Sequence, residues 1–386
     1  MVVNGSLHKI YDIVEKMTLK NITPKRLKRL LKKMIDIYSP SGKEEELADF
    51  LYGYLKRQEL NVIYQDVDED RYNLLILPDD MDIEMALIGH IDTVWAYDLE
   101  HYCYEEEDDI ITGLGSADMK GNCAAMIEAY LSLQEKNQHH VPVLLALLVG
   151  EEEDGDGARQ LVKDFHFPWA IIGEPTDLAP CMKHFGYLEV QVCTEGKQVH
   201  ASLADRGQNA IKHMLGLLLN ISNYMENKRP DIVYNIRELE SSRSGFVVPD
   251  RCEAWLDLHL PPVSPVEEIT VELEDILIKA KEENPELDGT IRFTTIHRGY
   301  EIPEKGNVVK TLKDIYKNMN LTWNPQVFRS HSDANILWTA GIKPVILGAG
   351  KLEEAHRPDE SISFEQICTA SEIYFNILNS YLKRDV

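Results

Sequence analysis

Two histidines and five acidic residues stand where buried-looking apolar runs break off. His90 and Asp92 end the run ALIGHID, and Asp118 sits in the glycine-rich stretch TGLGSADMKG. Glu151 and Glu152 follow LLALLVG, Glu174 follows AIIG, and His356 comes after VILGAGKLEEA. Imidazole and carboxylate together suit zinc, cobalt or manganese. So many carboxylates are not buried side by side without cations, because charges in a low dielectric must be paired or neutralised. Two divalent ions solve the problem, with one carboxylate bridging them. The spare glutamate could then take a proton from a water that the ions acidify. No side-chain nucleophile is required, and neither a G-x-S-x-G elbow nor a catalytic-cysteine signature is present. Each residue alone has a plainer reading. His90 could be a hydrogen-bonded structural residue, GEEED an exposed loop, Asp118 a helix N-cap, and Glu174 a turn residue before proline. The functional case rests on their joint placement.

That placement needs elements to hold it. NLLILP, EMALIGHIDTV, PVLLALLVG and WAIIGEPTD are short apolar runs between turn residues, the pattern of buried parallel strands. Helical periodicity runs through PKRLKRLLKKMIDIY, GNCAAMIEAYLSLQEK and GARQLVKDFH. SGKEEELADFLYGYLKR reads as a further helix with Ser41 as its N-cap. Strands alternating with helices make an α/β fold, here with a mixed sheet, in which ligands bind outside the carboxyl ends of the strands. Near Phe185 the texture changes. YLEVQVCTEG alternates like a half-exposed strand, and a β-α-β-β-α-β order follows. Residues 1–185 and 299–386 are therefore read as two parts of one α/β catalytic domain, interrupted at 186–298 by a smaller α+β, ferredoxin-like insert.

Composition excludes some partners. The 386 residues carry 40 basic and 65 acidic side chains, a net charge of −25. Neither a nucleic-acid backbone nor an anionic membrane surface is expected to bind such a chain. The first residues lack an apolar h-region, so no secretory signal is expected, and VPVLLALLV is too short to span a bilayer. The cysteines form no C-x-x-C pair, which predicts reduced thiols in the cytoplasm. His139 and His140 lie in a polar turn and are read as surface residues.

ALIGHIDTV, SADMKGNCAAMIEA, VGEEEDGDGA, IIGEPTD, VHAS with GQNAI, and AHRPDE resemble, in order, the successive motifs of the M20 di-zinc metallopeptidases. That family includes acetylornithine deacetylase, succinyl-diaminopimelate desuccinylase, aminoacylase-1 and glutamate carboxypeptidase. The resemblance implies two divalent ions per chain, zinc first, with cobalt or manganese as alternatives. It implies His90 and Glu174 on the first metal, Glu152 and His356 on the second, and Asp118 bridging them beside a cis peptide. Asp92 would orient His90. Glu151 would be the general base, and Glu153 is left as solvated loop. The insert would be a lid and dimerisation domain, making the protein a homodimer. Its His200 would reach the partner subunit's site and help hold the developing oxyanion.

Two departures concern the substrate. Where the family's lid has an asparagine and then an arginine that clamp a carboxylate, GFVVPDRCEAWLDLHLP places Phe246 and His259, and neither binds a carboxylate as an arginine fork does. Arg237, Arg243, Arg251 or Arg329 could stand in. Phe246 reads either as a contact for an apolar substrate portion or as lid-core packing. In FRSHSDANIL, His331 and Asp333 either line the site or belong to a loop whose Ser and Asp cap the next helix. The function expected is hydrolysis of an amide bond in N-acyl amino acids or short peptides. A deacylase comes first, an aminopeptidase or dipeptidase second. A non-catalytic binding protein keeping the fold would show a broken ligand set.

Overall fold

The computed structural model describes residues 20–79, 81–96, 98–99, 103–136, 141–242 and 245–382. The N-terminal segment, His139, His140 and Arg243 lie outside them. The described chain divides into two compact units, one of the described residues within 20–182, 302–326 and 332–382, the other of those within 183–301 and 327–331.

In the first unit a mixed sheet runs in the order Val62–Asp68, Arg71–Ile76, Val143–Leu148, Met85–His90, Trp169–Ile172, Lys343–Ile346. The last four of these strands are mutually parallel. Arg71–Ile76 breaks the expected pattern, pairing antiparallel with Val143–Leu148. Its apolar run predicts burial but not direction, because strands covered on both faces look alike either way. Met85–His90 and Val143–Leu148 are buried at every position. The helix Lys120–Gln134 is buried from Lys120 to Leu133, with Lys120, Asn122, Glu128 and Ser132 among the buried side chains. It packs against Met85–His90 and between the helices Pro24–Asp36 and Phe364–Ser380.

The second unit is a four-stranded antiparallel sheet in the order Val233–Ser241, Arg251–Leu260, Gly186–Glu195, Asp288–His297. The helices Ala210–Lys228 and Val266–Glu283 complete the β-α-β-β-α-β order. Leu188, Val190 and Val192 from the sheet meet Met214, Leu217 and Ile221 from one helix and Ile269 and Leu273 from the other. The alternation seen in YLEVQVCTEG is this core on one face and partial exposure on the other.

Candidate metal centre

Three adjacent strand ends build one edge. His90 is the last residue of its strand and is paired with Leu148, so Glu151 and Glu152 emerge just beyond it. On the other side Gly173 donates its N–H to the carbonyl of Ile88 (3.1 Å), which brings Glu174 to the same edge. The loop before the helix Lys120–Gln134 supplies Asp118, and the segment before Ser361–Ser363 supplies His356.

The side chains converge. His90 Nε2 lies 3.2 Å from Asp118 Oδ1, 3.7 Å from Glu151 Oε2 and 3.9 Å from Glu174 Oε1. The other oxygen of Asp118, Oδ2, lies 3.4 Å from His356 Nε2, which is 2.9 Å from Glu152 Oε2. Ligands on one tetrahedral zinc, each about 2.0–2.1 Å from it, stand about 3.3 Å apart. His90, Asp118 and Glu174 form one donor group of this kind, and Asp118, Glu152 and His356 a second. A third combination joins His90, Glu151 and Glu152. Asp118 faces one histidine with each oxygen, the disposition of a bridging carboxylate. Glu174 Oε1 is buried without a hydrogen-bond partner among the described residues. An oxygen left in that state is costly unless a cation meets it, so the donor set fits a pair of divalent ions. The Asp118–Met119 peptide is cis.

Asp92 holds the arrangement from behind. Its Oδ1 accepts the N–H of Glu151 (3.2 Å) and its Oδ2 that of Glu152 (3.1 Å). Oδ1 also lies 3.5 Å from His90 Nδ1, itself 3.1 Å from the Asp92 carbonyl oxygen. Sequence reasoning gave Asp92 only the histidine; the structure shows that it also ties down the loop of both glutamates. A fourth contact corrects a second expectation. The helix Glu45–Arg57 begins after Glu44 with no side-chain cap, and the Ser41 hydroxyl instead donates to Asp92 Oδ2 at 2.7 Å. A serine before a helix is a good cap signal, but only the tertiary fold reveals a stronger acceptor nearby. Nor does Asp118 cap the helix that follows it, whose N-cap is Met119.

The electrostatics are those of a cluster short of positive charge. Burial pushes Glu151 well above the usual carboxylate range, and Asp333 and Glu152 add to the push, although His90 opposes it. Glu174 is raised by burial and by Asp118 and Glu151. Burial alone would lower His90. Its hydrogen bonds to Asp118 and Asp92 and the charges of Glu151 and Glu174 overcome that and raise it. His356, half exposed, reaches about 12: desolvation alone would lower it, and Asp118 and Glu152 overcome that. Protons and imidazolium groups do here what cations do better.

Comparison with known proteins agrees with this geometry. The model of peptidase family M20/M25/M40 matches residues 86–380. The chain belongs to this family. Acetylornithine deacetylase of Edwardsiella ictaluri is 28% identical over 363 residues, 88% of this chain and 92% of that protein. A tripeptidase of Staphylococcus aureus superposes with a TM-score of 0.79 at 21% identity, covering 94% of this chain and all of that one. A dinuclear metal-binding M20 peptidase of Bacillus subtilis gives 0.67 at 13% identity, covering 93% and 98%. As an M20 enzyme the chain is a hydrolase of amide C–N bonds.

The remaining M20 site expectations fall in different units. His200 belongs to the second unit and is exposed. It precedes the 3-10 turn Ala201–Arg206, and its Nδ1 accepts the N–H of Ser202 at 3.2 Å. The neighbouring Ala201 N–H donates to the Phe246 carbonyl (2.8 Å). Phe246 is 86% exposed at φ +60°, which overturns lid-core packing for its ring. His259 lies 5.5 Å, ring to ring, from Tyr187, on which His331 stacks at 4.3 Å. Burial lowers the pKa of His259. Two candidate replacement arginines are engaged with acids: Arg237 donates to Asp257 and Glu189, and Arg251 to Glu253. Arg329 lies over the Phe185 ring. In the first unit, Asp333 opens the helix Asp333–Thr339 but leaves the capping to Ser332, whose side chain accepts the N–H of Ala334. Asp333 is buried, with its Oδ1 unpartnered among the described residues. Burial raises its carboxyl to about 7, with His90 opposing and Asp92 adding. Glu153 is exposed and accepts the Trp95 indole N–H at 3.3 Å.

Proposed function

We propose that this chain is a di-metal deacylase of N-acyl amino acids, with Glu151 as its general base. The observation that carries the reading is the shared Asp118, one oxygen toward His90 and the other toward His356, with Glu151 3.7 Å from the same His90. His90 and Glu174 would hold one ion, Glu152 and His356 the other, and Asp118 both. Zinc suits this nitrogen and oxygen set, as cobalt and manganese do. Bound there, the ions would polarise the scissile carbonyl and acidify a water. Glu151 takes the proton from the attacking water and passes it to the leaving amine. Asp92 keeps His90 and the glutamate loop in register throughout.

Residues 186–298 form the lid and dimerisation domain in this proposal, and His200 supplies an oxyanion donor to the partner subunit. Two features support a homodimer. Leu215 and Leu219 are exposed on Ala210–Lys228, and Val233, Ile236 and Leu239 are exposed on the edge strand Val233–Ser241. A cytoplasmic location fits six free thiols. Among the described residues no helix is long and apolar enough to cross a membrane.

The deacylase assignment draws on the acetylornithine deacetylase likeness. It is tested by primary-amine release from N-acyl amino acids and dipeptides, with zinc, cobalt or manganese added and Glu151→Gln as control. Release from acyl substrates alone supports it. Release from dipeptides alone assigns the chain to the exopeptidases instead. Silence of the metal-loaded enzyme on both would sink it.

A further inference from the structure

Glu360 has no part in the steps above, yet it is buried within four residues of His356. The buried Lys120 ammonium interacts with its carboxylate electrostatically. The carboxylate also gathers main-chain donors from the loop that carries Asp118. Oε1 accepts the N–H groups of Ala117 (2.8 Å) and Asp118 (3.0 Å), and Oε2 that of Gly115 (3.1 Å). The Glu360 carbonyl accepts the Gly113 N–H at 3.0 Å and the Ser116 hydroxyl at 3.3 Å. Gly113 and Gly115 take φ of +143° and +80°, which side chains rarely adopt, and this lets successive N–H groups turn inward to form an anion-binding concavity. The anion it binds is the chain's own carboxylate.

We propose that Glu360 is a positioning residue for the metal centre: it clamps the Asp118 loop to the His356 segment and so sets the spacing of the second ion's ligands. The asymmetry between the two donor groups supports this. His90 and Glu174 are buried at strand ends, where the sheet fixes them. His356 is half exposed, follows the short 3-10 turn Leu352–Glu354, and sits at φ +61°. Such a conformation is uncommon for a residue with a side chain and persists only where the surroundings enforce it. Its 3.4 Å approach to Asp118 Oδ2 therefore depends on how the two segments are joined. Three main-chain N–H groups bound to the two oxygens of one side chain are a stiff join.

The inference rests on the two-ion reading, so the experiment separates the two. Metal-free wild-type and Glu360→Gln proteins are titrated with cobalt, following bound metal and the visible absorption of the ion. Glutamine keeps the shape but turns one acceptor into a donor that meets an N–H. The expected result is an unchanged first step and a second step weakened about 10–100-fold, the usual cost of losing a residue that orients metal ligands, with an altered second-site spectrum. With saturating metal, kcat should recover to within a few-fold of wild type at unchanged KM. A lower melting temperature with both binding steps and both spectra as in wild type would overturn the proposal, because Glu360 would then only stabilise the fold. Failure of wild type itself to take up two ions would sink the two-ion reading and this inference with it. If the glutamine variant does not fold, Glu360→Asp keeps the charge and shortens the reach. A wild-type second step in that folded variant would overturn the proposal equally.

Discussion

Asp118 and Glu151 differ in what they are asked to do, and substitution should separate them. Asp118 touches both donor groups, so Asp118→Ala should lose both ions. Elemental analysis of the dialysed protein checks this, and retention of both ions would refute the bridge. Glu151→Gln leaves His90, Asp118, Glu152, Glu174 and His356 in place. Two ions should stay bound while turnover falls at least a hundredfold, in the range of a lost general base. Loss of metal in that variant would mean that Glu151 is a ligand, as its place in the group with His90 and Glu152 would then explain.

At the scale of elements, the helix Pro24–Asp36 is anchored through charge. Arg26 donates to Glu128 at 2.7 and 2.9 Å, and the Glu128 side chain is only 1% exposed. Thr23 N–H and the Ser132 hydroxyl, both at 2.7 Å, complete its shell. Arg26→Ala strands a buried carboxylate, so it should cost about 3 kcal/mol of unfolding free energy by urea titration. A loss under about 1 kcal/mol would show that the neutral donors suffice. The second unit has a pH-dependent element of its own. Burial lowers His184 to about 4; the Phe185 carbonyl, 2.7 Å from its Nδ1, opposes this, and His297 adds to it. The ring stacks on Tyr300 at 5.3 Å. The folded state holds the neutral ring, and the unfolded chain protonates near pH 6.5. Stability is therefore intact above about pH 6.5 and falls by about 3 kcal/mol as the pH drops to about 4. His184→Gln, less stable throughout, should lose correspondingly less over that interval. Parallel pH dependences for the two proteins would exclude His184 as the source.

For the whole molecule, the decisive question is whether two copies assemble and share a site. Leu219→Glu combined with Ile236→Glu puts charge on two exposed apolar surfaces of the second unit. Light scattering should show a monomer, with metal content intact and amide hydrolysis lost, since the oxyanion donor comes from the partner in the proposed arrangement. His200→Ala should lower kcat about 10²–10³-fold without changing the oligomeric state, the usual cost of one oxyanion donor. A monomer with full activity would remove the partner from the mechanism.

Much of this was legible in the chain itself. His90, Glu151, Glu152 and Glu174 stand at or just beyond the ends of buried apolar runs, so their convergence at adjacent strand ends could be read in linear order. The alternation of Gly186–Glu195 likewise declares which face is buried. Strand direction was not legible, because Arg71–Ile76 is buried on the same terms whichever way it runs. Nor were the residues that act through others. Ser41 looks like a helix cap, and Glu360 is only the last residue of AHRPDE. Each finds its partner 51 and 242–245 positions away, respectively, where no local pattern points. Apolar periodicity and ligand spacing are short-range signals set by local geometry. The hydrogen bonds that aim the ligands form only once distant segments meet, and the tertiary fold alone decides which segments those are.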